Sequence, residues 1–173
     1  MSEVANPTFL INADSDPVII RIEGRASFQN SSTLQDFMGE MLRRGKTRYV
    51  LDFAHCSSMD STFLGVLAGV ALELRKLKPA GSLVCCRVAP RNLELIRNLG
   101  LHRLVTLDTS EGAAGSTDLS QPVKALVAGE KLDELASARL VLAAHENLVS
   151  ADEQNLAKFQ DVLSFLKGRI KQG

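Results

Sequence analysis

The chain has no surplus of charge: 20 basic side chains stand against 20 acidic ones among 173 residues. A neutral balance gives no electrostatic case for nucleic acid, and no basic helix offers itself to a membrane surface. Long apolar runs are missing too. The longest, Phe63 to Leu72, is about half of what a membrane span needs. Met1-Ser2-Glu3-Val4 has neither a basic start nor an apolar core, so no export signal and no direct membrane insertion are expected. Cysteine is scarce. Cys56, Cys85 and Cys86 make an odd number, which points to free thiols and a cytoplasmic location. Cys85 and Cys86 are neighbours in a predicted strand. Their side chains then point to opposite faces, which suits neither a metal site nor a disulfide. No Gly-x-Ser-x-Gly elbow, His-Glu-x-x-His pair or glycine-rich phosphate loop occurs. His55 adjoins Cys56, but adjacency in sequence is not dyad geometry. No catalytic residue, metal ligand or cofactor is expected, and an enzyme is not the reading favoured.

Hydrophobic content is 45%, enough for a real core in one domain with an appendage. The most informative stretch is Tyr49 to Lys78. Tyr49-Val50-Leu51-Asp52-Phe53 reads as a buried strand followed by a polar loop. Then Phe63, Leu64, Val66, Leu67, Val70, Ala71, Leu74 and Leu77 fall on one helical face. Asp60, Ser61 and Thr62 supply capping oxygens before it, and Pro79 and Gly81 stop the helix. No residue from Ser61 to Leu72 is charged, and Gly65, Ala68 and Gly69 stand where a surface helix carries Glu and Lys. A smooth helix start topped by hydroxyls is either covered by more of the same chain or is a docking surface.

Met59-Asp60-Ser61-Thr62-Phe63-Leu64-Gly65-Val66, following Leu51-Asp52-Phe53, resembles the signature of the STAS domain family, which includes the bacterial anti-sigma factor antagonists. In that family a strand ending in aspartate precedes Asp-Ser-Ser/Thr-Gly-Leu-Gly at a helix start. The phosphorylated residue typically lies two after the motif's aspartate, which places it at Thr62, with Ser61 as the lesser candidate. Phe63 stands where the family has glycine, a departure shared by some members of stress-signalling complexes. The resemblance covers roughly residues 8 to 110.

The element order read from periodicity is β-β-α-β-α-β-α-β. Strands alternating with helices imply parallel pairing through right-handed crossovers. The expected fold is α/β: a STAS fold with a mixed four- to five-stranded sheet and helices mainly on one face. Residues 1–110 form that domain, 111–121 a linker loop, and 122–173 a C-terminal α-helical hairpin. In the hairpin, Leu132, Leu135, Ala136, Leu140 and Ala143 share one face. A capping box, Ser150-Ala151-Asp152-Glu153, is read before the second helix. Leu156, Phe159, Leu163, Leu166 and Ile170 form a seam too apolar to face water. The hairpin is expected to pack on its own domain, with a second copy, and so a homodimer, as the alternative. His145-Glu146-Asn147 is either a polar face or a contact.

The resemblance implies partner switching. The unphosphorylated protein would bind an anti-sigma factor that is also a serine/threonine kinase. Phosphorylation at Thr62 would end the contact, and a metal-dependent phosphatase would reset it. The residues expected at the switch and docking surface are Ser57, Ser58, Met59, Asp60, Ser61, Phe63, Leu64, Gly65, Ala68 and Gly69. The alternatives are a STAS subunit of a lipid-transport ATPase system and a subunit of a stress-sensing complex.

Overall fold

Runs of β-branched and aromatic residues bounded by turn residues give the strands their positions. In the computed structural model, which describes residues 8–108, 122–127 and 131–172, β1 (Phe9–Asn12) and β2 (Val18–Ala26) form an antiparallel pair. The Asn12 side chain accepts the N–H groups of Asp14 and Ser15 and so shapes the turn between them. β3 (Arg48–Met59), β4 (Ser82–Cys86) and β5 (Thr106–Asp108) add in parallel, giving the order β5-β4-β3-β2-β1-β6. The sixth strand, β6 (Lys124–Ala125), is a two-residue addition on the outer edge of β1.

Helices α1 (Ser31–Arg43), α2 (Ser61–Lys76) and α3 (Pro90–Asn98) cross between the strands. One face of the sheet, carrying Phe9, Ile20, Ile22, Leu51, Phe53 and Cys85, shares the main core with Leu34, Met38, Leu67 and Ile96 of the helices. The other face carries a small cluster of Val50, Val84 and Cys86. Cys85 and Cys86 thus point to opposite faces, as their adjacency in a strand requires. All three thiols are free and buried. Among the described residues no helix is long and apolar enough to cross a membrane.

Several sequence expectations need correction. Among the described residues the sheet has six strands, against the four to five expected. The polar loop after Phe53 is instead a continuation of β3 to Met59, because two register shifts against β2 let the paired strands bend and go on together. The left-handed Gly24, φ +76, lies at one of them. Asn30-Ser31-Ser32 reads in sequence as a cap for α1, but Asn30 makes no side-chain hydrogen bond to the helix and accepts Ser27 N–H instead.

The helical part of the tail does not begin near residue 122. The chain first returns to the sheet edge as β6, where Leu126 N–H donates to the Phe9 carbonyl. Helix α4 (Glu134–Ala151) starts only where Asp133 offers a carboxylate to Ala136 N–H. Ser150 lies inside α4, so the capping box does not form. Asp152 caps the chain entering α5 (Asn155–Gln172), accepting Gln154 N–H. The linker expected at 111–121 lies outside the described residues.

The hairpin of α4 and α5 packs on its own domain. Leu148 belongs to the main core, and Phe159 packs against it. The buried Asn155 amide donates to the carbonyls of Leu99 and Leu148, both at 2.8 Å. Lys158 donates to the Asn98 carbonyl, and Arg103 pairs with Asp152 at 3.7 Å. The expected seam is partly realised: Leu163 and Leu166 are buried, while Leu156 is 50% exposed. On α4 the covered face is Leu140, Ala144, His145 and Leu148, one step round from the expected one, and Ala143 is exposed. The helix is rotated because it meets α2 as well as α5.

Candidate functional site

The start of α2 is built by Asp60. Its carboxylate accepts Phe63 N–H at 2.9 Å, and its other oxygen accepts Phe28 N–H at 2.8 Å. One side chain therefore satisfies an orphan amide of the helix and ties the end of β2 to it. Asp60→Ala is expected to cost about 1–2 kcal/mol in urea-induced unfolding, and Asp60→Asn clearly less, since Asn caps nearly as well. Equal losses in the two variants would mean that charge, not capping, matters there.

α2 is buried on two sides. Phe63, Leu64, Leu67, Val70, Ala71 and Leu74 enter the main core. Phe63 is fully buried and stacks on Phe9 with ring centroids 6.4 Å apart. Its bulk, where the family pattern has glycine, is taken up by the sheet. The second side is the one with small residues, and α4 covers it. Val66 packs with Leu140 and Ala144. A Cβ on Gly65 would lie 2.2 Å from the Ala144 carbonyl oxygen, and one on Gly69 would lie 2.5 Å from Asn147 Nδ2. Gly65 is needed for the approach, while a side chain at Gly69 would push the Asn147 amide aside.

Polar groups complete this contact. Asn147 Nδ2 donates to the Gly65 carbonyl at 3.1 Å. His145 Nδ1 lies 2.7 Å from the Val141 carbonyl, which can only accept, so that nitrogen carries a hydrogen. In the neutral ring Nε2 then accepts the Ser61 hydroxyl, 2.9 Å away. The edge of Phe159 closes over the imidazole at 4.7 Å. A serine and a histidine at this distance resemble a nucleophile and its base. Here the histidine is 4% exposed, under the edge of its own hairpin.

The residues expected at the switch are brought together around this helix start. Ser57 is exposed, and Ser58, Met59, Asp60 and Ser61 are half-buried. Thr62 is 4% exposed. It shares a helical face with Gly65, Val66 and Gly69, the residues that α4 meets. Leu64, Gly65 and Ala68 are buried and Gly69 is half-buried. His55 is exposed, while Cys56 is buried with its carbonyl held by Asn92. Burial pushes the Cys56 thiol up to about 11, the opposite of a reactive thiolate. Sequence reading left open whether the helix start is covered or docks a partner, and in the structure the hairpin covers it. The signal was there in two places: the small uncharged positions of α2, and the His145–Asn147 pair on an otherwise aliphatic tail helix.

The family model described as Mlab, STAS domain matches residues 9–106, from β1 into β5. An anti-sigma factor antagonist from Mycobacterium paratuberculosis is similar in structure. Identity is 19%, the match covers 64% of this chain and 92% of that one, and the TM-score is 0.52. A Thermotoga maritima protein described as a candidate anti-sigma factor antagonist matches at 17% identity over 60% of this chain and 87% of its own, with a TM-score of 0.53. At such identities the likeness is one of fold. The strand order, the Asp60-capped helix and the match over 9–106 agree: the chain belongs to the STAS domain family.

Proposed function

We propose that this protein is an anti-sigma factor antagonist, a binding module and not an enzyme, whose docking surface is the start of α2. The observation that carries the reading is the helix start itself. Asp60 fixes it, Ser61 and Thr62 top it, and the face beside them holds only small or apolar residues that accept a helix at close range. On this reading the partner is an anti-sigma factor with serine/threonine kinase activity, working in the cytoplasm. Thr62 is the acceptor, and a metal-dependent phosphatase reverses the modification. A phosphate there adds nearly two negative charges. The helix N-terminus tolerates an anion, but an apolar contact does not. The fold would survive and the docking would fail.

The test is incubation with anti-sigma kinases and ATP, followed by mass spectrometry of the modified residue. Label is expected on Thr62 and is expected to vanish in Thr62→Ala. Label that persists in that variant and disappears in Ser61→Ala moves the acceptor to Ser61. A second reading, a STAS subunit docked on a transporter ATPase, rests on the match to the model described as Mlab. There Ser61 and Thr62 are contacts, and no kinase would label either.

A further inference from the structure

The face assigned above to a partner is already occupied. α4 lies across it so closely that Gly65 has no room for a Cβ, and Ala144 is the small residue that answers Gly65. Its two polar contacts, His145 to Ser61 and Asn147 to the Gly65 carbonyl, engage the hydroxyl and backbone that a docking partner would meet. We infer that α4 is a removable occupant of a helix-docking face. An external partner engages that face by presenting a helix of the same chemistry, a small residue flanked by hydrogen-bonding side chains, and displacing the hairpin. The inference rests on the reading of the α2 start as the docking surface.

Two observations favour an occupant over a permanent part of the core. The family match runs over residues 9–106 and ends before α4 begins. All five strands that pair within residues 9–108, and α1 to α3, precede the hairpin in the chain. The contact is also made of small and polar groups, Gly65, Ala144, Ser61, His145 and Asn147, with Val66 and Leu140 as the larger apolar pair. At the start of α2 this contact depends on close fit and on polar partners, which suits exchange there, while Leu148 further along α4 reaches the main core. Tethering gives α4 an effective concentration in the millimolar range, so a free partner competes at a disadvantage. Its apparent affinity falls by the fraction of open chain. In the closed state Thr62 is shielded, so a kinase would reach it only after the hairpin leaves.

The experiment uses the full chain with Thr62→Cys as a reporter. The three native thiols are buried and held protonated by burial, so their background labelling is slow. Maleimide labelling of the reporter should be at least about tenfold faster when Ala144→Arg is added, because a long charged side chain cannot fit against Gly65. A synthetic peptide of residues 131–152, added to that opened chain, should restore protection. If circular dichroism shows that Ala144→Arg does not fold, His145→Ala with Asn147→Ala removes the same contact without added bulk. Equal labelling rates in the closed and opened chains overturn the inference, as does a peptide that gives no protection. Protection that accompanies a dimeric mass and is lost on dilution overturns it as well, since the covering helix then comes from a second copy. No kinase enters this assay, so its outcome is independent of whether Thr62 is a phosphorylation site.

Discussion

A chain carrying both Phe159→Asp and Leu163→Asp is expected to lose at least about 4 kcal/mol of stability, read as a lower urea midpoint of a single transition. Leu163 is 6% exposed between α5 and the rest of the hairpin. Phe159 covers the His145 ring and reaches the main core. Truncating one buried large side chain costs about 2–5 kcal/mol, and a carboxylate in its place adds the cost of burying or rehydrating a charge. The loss falls on the whole chain because Leu148 and Asn155 join the hairpin to the same cooperative core. If the double variant melts like the wild type and only its oligomer size changes, the seam is an assembly surface.

The parts legible in the sequence were those with strong local codes. The run from Tyr49 to Phe53, the Asp60-Ser61-Thr62 cap and the period of α2 each specify one structure by local rules. The alternation of strands and helices then leaves few topologies. What was not legible depends on partners distant in sequence. β6 has two residues and exists because β1 has a free edge. The rotation of α4 is set by Gly65 and Gly69, some 80 positions away. The smooth face of α2 could be read only as covered or as docking. The structure shows it covered by α4, and the proposals above join the two readings: the cover stands where a partner would dock. Thr62 reads in sequence only as a capping hydroxyl, and its 4% exposure is a tertiary effect that no local rule contains.

Arg87→Met is expected to cost about 3 kcal/mol, and the double variant Arg87→Met with Asp52→Leu to cost clearly less than the single one. Asp52 is 1% exposed on the sheet face that the helices do not cover. The Arg87 guanidinium holds it with two donors, Nε at 2.9 Å and a second nitrogen, and Arg21 lies 3.6 Å away. Asp52 also accepts Ala54 N–H. Holding this carboxylate raises the pKa of Arg87, so the guanidinium keeps its charge. Removing the arginine leaves a buried carboxylate with one more distant cation, and breaking a buried pair from one side typically costs about 3–5 kcal/mol. The lower end applies because Arg21 remains. Removing the carboxylate at the same time takes away the stranded charge and puts an apolar residue in the row beside Cys86. Position 87 has φ +54, and arginine and methionine carry similar non-glycine strain there, so backbone strain largely cancels from the comparison. Urea midpoints of the wild type, both single variants and the double variant close the cycle. Additive losses would show that Arg87 acts by packing alone and that Asp52 does not depend on it.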